Sequence, residues 1–201
     1  MARETGPKNK IARRFAVDLG LKTNAAKLQR RLNIPPGQHG RKGTRKKSNF
    51  GVQLLEKQKT RYIYGILEKQ FRRYMEKAQR NPAATGVEFL RLLELRLDNT
   101  LFRLGMAPTR AAARQLVSHG HVTVNNKKVD IPSYEVSVGD VVALSAKAIK
   151  IPAIASMLEQ KTNVPKWLER KANVGKISSL PQREDVDAQI DENLIVEYYS
   201  R

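Results

Sequence analysis

Between Leu95 and Leu144 the chain reads LRLDNTLFRLGMAPTRAAARQLVSHGHVTVNNKKVDIPSYEVSVGDVVAL. Two short helical patterns give way to alternating Val and Ile, with a turn signal at each junction. No other stretch limits the possible folds as strongly. Pro108 ends what precedes it, and the Thr109 hydroxyl can cap the free amides of a first turn, so a helix is predicted over 110–118. At about 100° per residue, Ala112, Ala113, Leu116 and Val117 share one side of it. Gly120 supplies the left-handed position that stops the helix. Val122-Thr123-Val124 is then a strand, and Asn125-Asn126, tolerant of positive φ, turns the chain into Val129-Asp130-Ile131. Gly139-Asp140 turns it again into Val141-Val142-Ala143-Leu144. The pattern is that of a helix packed on a small antiparallel sheet.

The opposite face of that helix carries Arg110, Arg114, Gln115 and Ser118, with His119 and His121 at its exit. Guanidinium groups at i and i+4 lie one turn apart, roughly 6 Å, close to the spacing of successive phosphates. A solvated helix face is the competing account of the same residues. If the face is exposed and meets phosphates, changing Arg110 and Arg114 to Gln should weaken binding of a polyanion and leave the melting midpoint nearly unchanged. The order of residues adds a second argument. RLDNTLFRLGMAPTRAAARQLVSHGHVTVNNKKVDIPSYEVSVGD closely resembles the RNA-binding domain named after ribosomal small-subunit protein four. PPGQHGRKG at 35–43, GVQLLEKQKTRYIYGILEKQFRRY at 51–74 and LIVEYYSR at 194–201 resemble further segments of the bacterial and organellar family of that ribosomal protein. The likeness spans nearly the whole chain.

Charge points the same way. The formal net charge is +19 on 201 residues, and residues 1–80 hold 22 Lys/Arg against five Asp/Glu. Residues 81–150 carry nine against six, and 151–201 seven against eight. A positive field concentrated in one region suits a polyanion, nucleic acid above all. A membrane surface is the competitor, weakened because the sequence has no long apolar run, signal peptide or aromatic-rich amphipathic anchor. There is no Cys, hence no disulfide framework and no thiolate metal site. The resemblance includes members with a cysteine-bound zinc near the N-terminus, which this chain cannot build. A cytosolic or organellar compartment fits.

The first 50 residues contain 14 basic and two acidic residues and few large apolar ones. Ile11, Phe15 and Leu19 can form one short stripe and Leu28 and Leu32 another, neither large enough to offset ordering. Residues 1–50 therefore read as an extended basic arm that orders on its partner. GQHGRKGT lacks the spacing of a phosphate-binding loop and no buried strand precedes it. From Tyr62 to Ala78 apolar residues recur at helical spacing, with a preceding helix over Val52 to Leu55, a bend near Thr60, and Gly65 weakening the longer helix. Thr85-Gly86-Val87-Glu88 forms a capping box for a helix burying Phe89, Leu90, Leu92 and Leu93. Asp98 is expected to cap the short helix that follows, flanked by Arg96 and Arg103.

Beyond Leu144, Lys147 and Lys150 are placed on a loop, and 152–160 as a helix with Ile154, Met157 and Leu158 inward. Residues 166–169 can start a helix after Pro165 or pair as a strand with 174–180. The resemblance implies the hairpin, five strands in all, and a sheet domain inserted into a helical one. The acidic run Glu184 to Glu192 and apolar Leu194-Ile195-Val196 suit a return of the chain to a basic, apolar neighbour. The expected fold is thus α+β. Residues 1–50 form the basic arm, 51–95 a helical domain completed by 181–201, and 96–180 an inserted RNA-binding domain with a small antiparallel five-stranded sheet packed against short helices.

Catalysis has little to work with. The three imidazoles, His39, His119 and His121, converge on no nucleophile or set of carboxylates, so no catalytic, metal or cofactor site is expected. Similar RNA-binding domains are appended to pseudouridine synthases and an aminoacyl-tRNA synthetase, whose catalytic domains need a few hundred residues more. The candidate RNA-binding residues are Arg110, Arg114, Gln115, His119 and His121, then Arg96, Arg103, Lys127 and Lys128. In the arm they are Arg13, Arg14, Arg30, Arg31, Arg41, Lys42, Arg45, Lys46 and Lys47. The resemblance implies a structural part of the small ribosomal subunit that binds a multi-helix RNA junction early in assembly, beside small-subunit proteins three and five, with an influence on decoding accuracy. No membrane or small-molecule partner is expected. The rivals are a free-standing RNA-binding regulator or stress factor and a non-specific DNA-compacting basic protein.

Overall fold

A computed structural model describes residues 4–22, 24, 26–42, 46–81, 84–160, 163–187 and 189–200, with the side chain of Arg41 outside the description. In chain order the helices are α1 (Lys8–Phe15), α2 (Ala26–Gln29), α3 (Asn49–Ile63), α4 (Glu68–Ala78), α5 (Thr85–Glu94), α6 (Leu97–Arg103) and α7 (Arg110–Ser118). Strands β1 (Val122–Val124), β2 (Lys127–Lys128) and β3 (Val141–Leu144) follow, then α8 (Ala146–Ile149) and α9 (Pro152–Glu159). Strands β4 (Leu168–Lys171) and β5 (Val174–Ile177) precede α10 (Glu192–Tyr199). The fold is α+β. Residues 1–86 with 188–201 make one compact unit, and 87–187 another.

In the first unit the N-terminal region forms the short helices α1 and α2 rather than an extended arm. The expected stripes form only in part, with Ile11 and Phe15 on α1 and Leu28 on α2 but Leu19 and Leu32 beyond their ends. Ala12, Leu19 and Leu28 are buried, and the Phe15 ring sits 5.9 Å from that of Tyr62. Arg13 ties the region together, its Nε donating to the Ile34 carbonyl at 2.8 Å and its Nη2 to that of Pro35 at 3.2 Å. The predicted bend lies later than Thr60. Helix α3 ends at Ile63 because Gly65 takes φ +63°, the conformation glycine adopts at least cost. Its amide and that of Ile66 close back on Tyr62 and Arg61. The break separates α3 from α4 and lets Ile63, Ile66, Phe71 and Met75 all be buried. Helix α10 packs on α3, with Ile195 fully enclosed, so the apolar Leu-Ile-Val does serve as an anchor.

Lys57 is a buried cation in this unit, only 4 % exposed. Its Nζ lies 2.9 Å from Glu68 Oε1 and 4.6 Å above the Tyr198 ring. The Tyr199 hydroxyl donates to the same Glu68 oxygen at 2.8 Å. Burial alone raises the pKa of Glu68, but the hydrogen bonds from Lys57 and Tyr199 and the charges of Lys57 and Arg61 outweigh it and leave the value lowered. The Tyr199 phenol moves the opposite way, raised by burial and then by its bond to Glu68.

The second unit is built on the five-stranded antiparallel sheet, order β2-β1-β3-β5-β4. The expected β4–β5 hairpin is present and the helical alternative after Pro165 is not. Asn125 and Asn126, at φ +50° and +65°, form a two-residue turn that sets Val124 opposite Lys127. The second strand is therefore Lys127–Lys128 and not 129–131, although the Val129 amide still bonds Val122. Gly175 in β5 lies against Leu104, whose Cδ1 is 2.4 Å from where a β-carbon would sit. Lys147 falls on the short helix α8, capped by Ser145, rather than on a loop.

Helix α7 has the predicted limits, and the Thr109 hydroxyl accepts from the Ala112 amide at 3.1 Å. Ala113, Leu116 and Val117 pack into the core with Val122, Val142, Leu144 and Trp167. Helix α5 starts at Thr85, one residue ahead of the capping-box expectation. The Thr85 hydroxyl donates to the Asn81 carbonyl, while Glu88 pairs with Arg91 at 2.7 Å. Helix α6 is not capped in the expected way either. The N-cap position falls on Arg96 and not Asp98. The Leu97 and Asp98 amides donate to the Tyr134 and Pro132 carbonyls, while the Asp98 carboxylate still accepts the Asn99 amide of the first turn at 2.9 Å alongside its arginines.

Candidate nucleic-acid interface

The helical stretch 89–104 is mostly buried, and it contains two carboxylates. Glu94 is 0 % and Asp98 3 % exposed. A buried carboxylate must be paired with a cation or protonated, and here Arg96, just before α6, and the arginines of α6 and α7 do the pairing. Asp98 accepts from Arg96 Nε and Nη2 at 3.1 and 2.8 Å, and from Arg114 Nε and Nη2 at 2.9 and 2.6 Å. Glu94 accepts from Arg103 Nε and Nη2 at 2.9 and 2.8 Å, and from Asn99 at 2.7 Å. Arg110 Nε donates to Asn99 Oδ1 at 2.7 Å, and its guanidinium stacks 4.5 Å from the Phe102 ring.

This arrangement corrects the picture of α7 as an open basic face. Gln115 and Ser118 are exposed, but Arg110 and Arg114 fold back against α6, their side chains only 11 % and 16 % exposed. Arg96 is buried inside the fold, and Arg103 is 14 % exposed. The helical period placed the arginines opposite the apolar stripe correctly. It could not say that another helix supplies carboxylates there. The signal was nonetheless present, since two acids in the run LRLLELRLDNTLF cannot be buried without countercharges.

Open positive charge in this unit lies elsewhere. Lys127 and Lys128 are exposed at the β1–β2 hairpin, His119 is exposed and His121 half-buried at the exit of α7. The two imidazoles lie 6.3 Å apart, centroid to centroid. The Lys128 stem covers Gly120, with its Nζ 2.7 Å from where a β-carbon would sit, so the hairpin lysines and the helix exit form one patch. Lys147, Lys150, Lys166, Lys171 and Lys176 are also exposed, and none of them was among the candidate RNA-binding residues. Their signal was only their place at turns and on outward strand positions.

In the first unit the basic residues are less neutralised. Arg14, Arg30, Arg31, Lys42, Lys46 and Lys47 are exposed. Arg45 and the side chain of Arg41 lie outside the described residues. Asn9, Arg13, Lys27, Arg30 and Arg31 surround a hollow of about 380 Å³ between α1 and α2, with no acidic residue in its lining. Such a hollow attracts anions and repels cations. Among the described residues no group of three His, Asp or Glu is placed to hold a metal ion, and no helix is long and apolar enough to cross a membrane.

A helix carrying arginines packed on a small antiparallel sheet, with lysine patches open at its surface, suits a compact RNA-binding domain, and comparison identifies which one. Residues 95–142 match the family described as S4 domain, and residues 3–94 that described as Ribosomal protein S4/S9 N-terminal domain. The chain is 52 % identical to the small ribosomal subunit protein uS4 of Akkermansia muciniphila, with both chains fully covered. It is 51 % identical to that of Herpetosiphon aurantiacus and 49 % to that of Parabacteroides distasonis, again over the full length of each. The chain belongs to the uS4 family of small ribosomal subunit proteins.

Proposed function

We propose that the protein is a structural constituent of the small ribosomal subunit and acts by binding its RNA, as a scaffold and not as an enzyme. The observation that carries this is the end-to-end likeness, at about half identity, to small ribosomal subunit proteins. The charge distribution supports it, because 22 of the 38 Lys/Arg fall within residues 1–80, against five acids. Cations held near crowded phosphates release counterions and supply most of the affinity. Fixed groups on a rigid domain favour one RNA shape over a plain duplex. Its place is then the ribosome, in the cytoplasm of a bacterium or the interior of an organelle.

The finer reading is that it binds a multi-helix junction early in assembly, beside small-subunit proteins three and five, and influences decoding accuracy. Exposed Arg14, Arg30, Arg31, Lys42, Lys46 and Lys47, with Gln115, His119, Lys127 and Lys128, are the proposed contacts. Arg103, Arg110 and Arg114 are largely enclosed, and Arg96 acts through Asp98. Sedimentation of ribosomal subunits in high salt, followed by mass spectrometry, tests the assignment. The protein should remain with washed small subunits. Recovery only in the soluble fraction would instead support a free-standing regulator. Equal affinity for duplex DNA and folded RNA would support a DNA-compacting role.

A further inference from the structure

Three carboxylates touch the arginines of α6 and α7, and they are not alike. Glu94 and Asp98 are enclosed, with side chains 0 % and 4 % exposed, and make contacts of 2.6–3.1 Å. Asp187 is 37 % exposed, and its two contacts are long. Its Oδ1 lies 3.4 Å from Arg103 Nη1 and its Oδ2 3.3 Å from Arg110 Nη2. Both guanidinium groups are already fixed on their other edges, Arg103 by Glu94 and Arg110 by Asn99 and the Phe102 ring. Each therefore points one nitrogen at one oxygen of a single small anion.

We propose that Arg103 and Arg110 form a phosphodiester-binding cleft, and that Asp187 occupies it in the free protein as an internal stand-in for the phosphate. This rests on the RNA-binding reading above and names a site within it. A phosphodiester carries the same single charge as a carboxylate and offers two non-bridging oxygens in place of Oδ1 and Oδ2. With Asp187 in place, two arginines balance two acids. Displacing it by a phosphate preserves that balance, so the exchange leaves no buried charge unpaired. The exchange is also local. Val186 is buried and anchors the segment, while the neighbouring carboxylate is a third exposed and can rotate to water. Fixed donors gain affinity because they need not be ordered on binding. A displaceable acid adds selectivity, since a phosphate that is poorly placed cannot compete with it.

The test compares the parent, Asp187→Asn, Asp187→Ala and the double variant Asp187→Asn/Arg110→Gln, all in the full chain. Arg110 is chosen because its fixed partner Asn99 is neutral, so its loss strands no buried acid. Melting in inorganic phosphate is set against chloride at equal ionic strength, and a small-subunit RNA fragment is titrated separately. Phosphate should raise the midpoint of Asp187→Asn more than that of the parent, with the extra response absent from the double variant. RNA binding by Asp187→Asn should tighten about three- to tenfold, the worth of one charge-assisted contact at a partly exposed site. An equal phosphate response in parent and Asp187→Asn overturns the cleft whatever the RNA result. Weaker RNA binding by Asp187→Asn, or loss of cooperative folding in both single variants, also overturns it by making Asp187 a structural clamp. A parent that fails to stay with small subunits but shows the phosphate pattern leaves the cleft standing and removes the ribosomal reading.

Discussion

The two units handle positive charge in opposite ways. In residues 87–187 four arginines, Arg96, Arg103, Arg110 and Arg114, are drawn into the fold by Glu94, Asp98 and Asp187. In residues 1–86 and 188–201 Lys57 is buried against Glu68, while most other cations stay at the surface. The number of basic residues and their exposure are thus separate quantities. An arginine whose inner edge is held by a buried acid is first a structural element, and only its remaining edge can meet a ligand. A surface arginine with no such partner contributes mainly long-range attraction and counterion release.

The largest test of that contrast is Asp98→Ala, which leaves Arg96 and Arg114 without their shared carboxylate. It should cost about 3–5 kcal/mol in urea-unfolding free energy. Arg114→Gln should destabilise as well, contrary to the unchanged melting midpoint expected from an exposed face. If both variants unfold like the parent, the arginine–carboxylate network is not holding the domain. Next comes Gly175→Ala in β5, where the added methyl meets the enclosed Leu104 side chain. Overpacking there should cost about 1–3 kcal/mol, read in the same experiment, and a neutral result would mean that Leu104 can move aside.

A smaller, pH-dependent effect belongs to the first unit. The folded-state pKa of Glu68 is lowered from the ordinary 4.5, so its contribution to stability is present above that value. It should be lost as pH falls through the lowered value. Urea midpoints measured from pH 7 to pH 3 should fall less steeply for Glu68→Gln than for the parent. Identical slopes would show that Lys57 and Tyr199 gain nothing from the charge. The smallest effect on stability is expected from Arg30→Gln/Arg31→Gln on the exposed N-terminal surface. Unfolding should be unchanged, while the slope of log affinity against log salt should become shallower by about 0.7–0.9 for each phosphate that is no longer neutralised. A change in stability with an unchanged salt slope would place these residues with the structural arginines instead.

Elements whose causes are local could be read from the chain alone. Thr109 and Gly120 set the ends of α7 through a side-chain cap and a positive φ. Val122–Val124 and Val141–Leu144 alternate because a strand has two faces, and 40 % hydrophobic residues with a charge of +19 point to a globular polyanion binder. The β4–β5 hairpin was legible only through family resemblance, since Lys166 to Glu169 fits either state. Gly65 stood out as a weak point but not as the break, because a single glycine is tolerated in a helix unless the chain gains burial by turning there. The fate of Arg110 and Arg114 depended on tertiary packing. Helical periodicity tells which residues share a side, and it carries no information about what packs on that side. Asp98 lies 16 positions from Arg114, and Asp187 lies 77 from Arg110. Only folding brings those charges together, and the cost of burying a carboxylate unpaired is what holds them there.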